Sequence, residues 1–131
     1  MQKKIATRDN RQYERVIPVH SEPIIIDING ANFIDILKAG NISLGGIMIS
    51  VAHEFKGCEI DKHVNLAIKL PTPINKSFSA TGKIKHISGD AFGVNFISIH
   101  EHGQQMLRKY ILFHQKKTST WKTVRYICHL Y

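Results

Sequence analysis

The chain has 131 residues, 43% hydrophobic and 21% charged, which is enough for one globular domain with its own core and far from a disordered composition. Eighteen Lys and Arg against ten Asp and Glu give a formal net charge of +8, a surplus that favours an anionic partner but constrains only its sign. Runs of about 18 apolar residues are missing, which argues against a membrane span; Met1 to Arg8 lacks the apolar core of a secretory signal; cytoplasmic residence is the resulting expectation. The two cysteines, Cys58 and Cys128, have no paired spacing, which argues against a disulfide framework and a cysteine-built zinc site.

Residues 1–15 are polar and basic and read as an arm. Arg8, Arg11 and Arg15 would share a helical face, yet the stretch has no apolar stripe and runs into Val16-Ile17-Pro18-Val19. A loop leading towards a strand is the better reading. Pro18 and Pro23 interrupt the Val- and Ile-rich run from Val16 to Ile28, leaving Ile24 to Ile28 as the first firm strand. Asn29-Gly30 is a two-residue hairpin signal, with Asn32 to Ala39 as the return strand. Gly40-Asn41-Ile42-Ser43 ends it, and Ile47 to Val51 forms a third strand.

Residues 52–63 carry no period and read as a loop. Val64 to Leu70 alternates and stops at Pro71 and Pro73. Phe78 to Ile87 alternates again, with Phe78, Ala80, Gly82, Ile84 and His86 on one face. Ser88-Gly89-Asp90 then turns the chain into Ala91 to Ile97. Six short strands with turns between them predict an all-β fold, a six-stranded antiparallel β-barrel.

The period changes after Ser98. Met106, Leu107, Tyr110 and Ile111 fall at helical spacing, a stripe best read as core packing, with Ser98 as N-cap and Glu101 as its capping-box partner. Residues 16–114 thus form a barrel plus a C-terminal α-helix. Residues 115–131 are a short basic and aromatic tail, read as an added packing element or a disordered end or, from Trp121, Tyr126 and Tyr131, as a partner-docking segment or an oligomer contact.

The sequence offers little for catalysis. It has no GxSxG, HExxH or phosphate-binding glycine loop, and the His100-x-His102 pair has only Glu101 beside it. Ligand binding is better supported. An arginine fork matches a phosphate, or the O6/N7 edge of guanine, with two parallel hydrogen bonds. Arg11 and Arg15 could therefore clamp a guanine nucleotide. Asn41 and Ser43, two apart on extended backbone, share one face and can meet a second ligand edge. Gly45 and Gly46 can take positive φ and let the backbone approach a bulky ring.

The order RxxxR (Arg11 to Arg15), the apolar Val16-Ile17-Pro18-Val19, then NxSxxG (Asn41, Ser43, Gly46) resembles a PilZ domain. Gly93-Val94-Asn95-Phe96 and the helix reaching Tyr110-Ile111-Leu112 are similar to that family too, and the resemblance spans roughly residues 8–114. It implies a six-stranded antiparallel barrel with a C-terminal helix, a bacterial source, and cyclic di-GMP as ligand with no other cofactor and no metal. Carried over, Arg11 and Arg15 would hold guanine and phosphate, and Asn41, Ser43 and Gly46 another guanine edge. Arg8, Asn10 and Gly45 are further candidates, and the residue before the first motif arginine, here Asn10, bears on whether one ligand or a stacked pair binds.

The expected function is that of a non-enzymatic second-messenger receptor that relays cyclic di-GMP to a partner protein in motility, biofilm or pilus-related output. Two other readings compete. One is a ligand-independent adaptor acting through protein contacts, against which the intact RxxxR argues. The other is a basic barrel binding nucleic acid, which would need aromatic platforms among its cations and has only Tyr13, Trp121 and Tyr126 to offer.

Overall fold

A computed structural model describes residues 14–31, 33–51 and 59–114. Six strands, β1 (Ile25–Asn29), β2 (Ile34–Ile42), β3 (Gly46–Ser50), β4 (His63–Lys69), β5 (Ser77–Ser88) and β6 (Ala91–Ile99), form a closed barrel in the order β1-β2-β3-β6-β5-β4. Every pairing is antiparallel, and the β1–β4 ladder closes the ring. Closure leaves no edge strand among the described strands for another chain to pair with.

Side chains that alternate along each strand fill the interior. Ile26 pairs with Leu37 on one side and Ile68 on the other, and Ile68 with Phe78, so one buried layer crosses four strands. Ile28, Leu66 and Ala80 form a second layer beside it. Helix α1 (residues 101–114) sends Met106, Leu107, Tyr110 and Ile111 into the same core. The helical stripe read from the sequence is thus core packing. A single apolar body of this size supplies most of the drive to fold.

Local details depart from the sequence reading in three places. At the first hairpin Asn29 pairs with Ile34, and the Gly30 N–H donates to the Phe33 carbonyl at 2.9 Å. The connection therefore spans residues 30–33 instead of two residues, because Phe33 leaves the ladder to pack against the core. The tight two-residue turn occurs later: Ser88 pairs with Ala91 around Gly89 and Asp90, with Gly89 at φ 32°.

Ser98 is not the helix cap. It pairs with Thr81 inside β6, and a ladder position holds its backbone extended. The first turn of α1 is instead served from His100, whose carbonyl accepts the Gln104 N–H at 2.9 Å. The Gln104 side-chain amide also donates to the Ile99 carbonyl at 3.1 Å.

The third departure is in β5. Phe78, Ala80, Gly82 and Ile84 point inward as expected, but His86 does not. The β5–β6 register shifts between Ile84 and His86. A bulge inserts one residue and shifts the alternation, so Lys85 and His86 are both exposed, and Ile87 and Ser88 at the end of the strand are exposed as well. The tail 115–131 and most of the loop read over 52–63 lie outside the described residues.

Candidate functional site

Val16 is where the chain is tied to the barrel ahead of β1. Its N–H donates to the Ile42 carbonyl at 2.8 Å and its carbonyl accepts the Ile42 N–H at 3.0 Å. Burial of Val16 and Ile42 in the core reinforces this single bridge. Arg15, one residue before it, therefore arrives exposed beside the end of β2.

The β2–β3 connection is a turn that Ser43 organises. The Ser43 N–H donates to the Gly46 carbonyl at 2.9 Å, and the Ser43 Oγ accepts from the Gly45 N–H at 3.1 Å. A serine hydroxyl bonded to a main-chain N–H two residues on substitutes for a backbone turn. Ser43 is the buried polar residue of the described core, 8% exposed, so its hydroxyl has a structural task beside any contact with a ligand. The Gly45 carbonyl accepts from the Phe96 N–H at 2.9 Å, pinning the turn to β6.

The glycines of this turn are not there for positive φ. Among the described glycines, Gly89 alone has it. Gly46 is needed for proximity: a Cβ there would lie 2.4 Å from the Val94 carbonyl oxygen on β6. Gly82 on β5 is similar, with a Cβ 2.5 Å from Val94 Cγ1 and 2.7 Å from the Asn95 carbonyl oxygen. Glycines on both neighbouring strands let them close on β6 at Val94 and Asn95.

A groove of about 520 Å³ runs across the outer face here. Asn41 pairs with Met48, Met48 with Gly93, and Gly93 with His86. This row crosses four strands, a span of roughly 14 Å at the usual strand spacing. Gly93 forms its low point; a Cβ there would sit 3.5 Å from His86 Cβ and 3.6 Å from Met48 Cε, in ordinary contact. Arg15, Asn41, Ser43, Gly45 and Gly46 all line this groove, so five of the residues singled out in the sequence come together. Arg8, Asn10 and Arg11 lie outside the described residues.

Sequence reasoning missed the opposite wall. Lys85, His86 and Asn95 also line the groove. The available signal was a Lys-His pair where strict alternation called for an apolar residue, the mark of a bulge. Lys85 Nζ lies 2.8 Å from Asp61 Oδ1. That hydrogen bond first, and the lysine charge second, hold the Asp61 carboxyl below its ordinary pKa.

A larger concavity of about 990 Å³ lies elsewhere, on β1, β2, β4 and β5. Its lining includes Asp27 and Asp35 and no Arg or Lys, so a phosphorylated ligand would meet like charge there. The groove, with Arg15 and Lys85, has the right sign. Among the described residues no group of three His, Cys, Asp or Glu could hold a metal ion. No helix among them is long and apolar enough to cross a membrane.

Comparison with known proteins bears on the family and the fold. The family model described as PilZ domain matches residues 9–113. The fold is similar to that of the Bacillus subtilis inhibitor of motility MotI/DgrA, with a TM-score of 0.70 and 21% identity over 82% of this chain and 52% of that one. It is also similar to the PilZ domain of Escherichia coli YcgR with c-di-GMP, with a TM-score of 0.65 and 14% identity over 86% of this chain and 96% of that one. The K. pneumonia MrkH–c-di-GMP complex gives a TM-score of 0.66 and 14% identity over 83% of this chain and 53% of that one. The chain thus spans about half the length of MotI/DgrA and of MrkH. No curated protein matches the sequence.

Proposed function

The chain belongs to the PilZ domain family, and from that premise we propose that it is a non-enzymatic receptor for cyclic di-GMP. The ligand lies in the groove between the β2–β3 turn and the β5 bulge. The observation that carries this reading is that Arg15, Asn41, Ser43, Gly45 and Gly46 line one groove, although Arg15 lies far ahead in sequence of the turn region that carries the other four. Arg15, with Arg11 four residues earlier, supplies bidentate donors to guanine and phosphate. Asn41 offers an amide to a second guanine edge, and Gly93 leaves the floor low enough for a flat ring. The similar folds of YcgR and MrkH, solved with c-di-GMP, support the choice of ligand.

Relay to a partner protein completes the proposed role. Drawing Arg11 and Arg15 onto a ligand held against the barrel alters the surface that a partner protein meets, a switch of the kind charged ligands commonly work. Outputs in motility, biofilm or pilus function fit such a relay.

Calorimetric titration of the full chain with cyclic di-GMP tests the reading, with linear GMP dinucleotide as control. Saturable one- or two-site binding of the cyclic form, and much weaker binding of the linear one, is expected. No heat and no chemical-shift change with the cyclic form would overturn it.

A further inference from the structure

The wall of the groove facing the β2–β3 turn holds a cation that the family motifs do not assign. Lys85 and His86 are consecutive, yet both are exposed and both line the groove, because the bulge after Ile84 removes the alternation that would turn one of them inward. Bulges commonly re-aim a side chain in this way. Lys85 is paired with Asp61, which does not line the groove. Asp61 is itself well anchored: its N–H donates to the Ile84 carbonyl at 2.6 Å, and the Ile84 N–H donates to the Lys62 carbonyl at 3.0 Å. The two side chains remain 45% and 60% exposed, and ion pairs so open to water are weak.

We propose that Lys85 is a phosphate-binding residue of this groove, and that its ammonium exchanges Asp61 for a phosphodiester of the bound nucleotide. The proposal rests on the receptor reading above and adds to it a residue and a competition. An ammonium is a compact point charge with three donors on a flexible stem. It can turn from a carboxylate to a phosphate without backbone movement. Arg15 reaches the ligand from the arm side, and Lys85 from the far end of the row that runs from Asn41 to His86. The two cations thus bracket a ligand with two phosphates. Asp61 acts as an internal competitor that lowers affinity, since each binding event must first break its pair with Lys85.

Calorimetric titration with cyclic di-GMP of the wild type, Lys85→Met, Asp61→Asn and the double variant tests this. Asparagine tolerates the positive φ of 68° at position 61, and thermal melts of each variant check folding. Loss of a charged hydrogen bond in Lys85→Met should weaken binding roughly tenfold. Removing the competitor in Asp61→Asn should tighten it by about two- to fivefold. In the double variant the gain from Asp61→Asn should vanish, because it acts only through Lys85. Lys69→Met, which removes a positive charge outside the groove, should change affinity by less than about twofold. Wild-type binding with Lys85→Met unchanged, or an Asp61→Asn gain that survives in the double variant, would overturn this proposal and leave the receptor reading standing. A wild type that binds no cyclic di-GMP overturns that reading and this proposal together.

Discussion

Val16 and Ile42 exchange both of their backbone hydrogen bonds, at 2.8 and 3.0 Å, in an isolated bridge outside the six-stranded ladder. Two residues tie the basic arm to the strand end that carries Asn41 and, one residue on, Ser43. Val16→Pro deletes the N–H and one of these bonds. It should lower unfolding free energy by about 1–3 kcal/mol in urea denaturation. Affinity for cyclic di-GMP should fall at least as far as in Arg15→Ala, although the arginine is intact. Undiminished binding in Val16→Pro would mean that the bridge does not position the arm.

Arg15 is exposed, and its value lies in what it reaches. Loss of one bidentate contact to guanine is worth about 1–3 kcal/mol, and from the upper part of that range Arg15→Ala should weaken cyclic di-GMP binding at least about tenfold, about 1.4 kcal/mol or more, in calorimetry. An exposed side chain outside the core should leave stability within about 0.5 kcal/mol of the wild type. Weak binding with an unchanged melt separates a lost ligand contact from a damaged fold; equal affinity would remove Arg15 from the site.

How much of this was legible beforehand depends on local pattern. Ile26 and Ile28 on β1, and Val64, Leu66 and Ile68 on β4, alternate cleanly and lie inside the barrel as the period demands. Asn41, Ser43 and Gly46 were legible because their spacing is local to one turn. Lys85 and His86 were not, because a bulge is set by pairing with β6 and leaves only a broken alternation behind. Residues 33–39 have apolar side chains in both phases. The structure buries Leu37 and leaves Ile34 and Ile36 78% and 67% exposed, a choice made by the pairing of Leu37 with Ile26. Gly46 was placed in the right turn for an incomplete reason, since close packing against a strand some fifty residues away cannot be read from its neighbours.

The glycines around β6 should separate fold from site. Gly46→Ala would drive a Cβ to 2.4 Å from the Val94 carbonyl oxygen, which is backbone and cannot rotate away. Overpacking of this kind typically costs about 1–3 kcal/mol, to be read from denaturation midpoints, and Gly82→Ala should behave alike. Gly93→Ala meets only ordinary contacts at 3.5 Å and beyond. It should change stability by less than about 1 kcal/mol while raising the groove floor and weakening ligand binding. Equal destabilisation by all three variants would refute this division.

Tyr110 gives the fold a pH dependence on the alkaline side. Its ring is fully buried, with its centroid 4.5 Å from that of His114, and its hydroxyl has no hydrogen-bond partner among the described residues. Burial first, and the Glu22 charge second, push the phenol up to about 12. The folded state therefore favours the neutral form more than the unfolded chain does, where a tyrosine titrates near about 10. That contribution is complete below the unfolded value and is lost as pH rises from about 10 through about 12. Tyr110→Phe keeps the ring and removes only the unpartnered hydroxyl. At neutral pH it should be neutral or stabilising by up to about 1 kcal/mol, and it should flatten the alkaline fall in stability. Denaturation midpoints across this range, with tyrosinate absorbance followed in parallel, check both parts. Tyr110 should ionise only with unfolding, and a marked loss of stability in Tyr110→Phe at neutral pH would show that the hydroxyl is partnered after all.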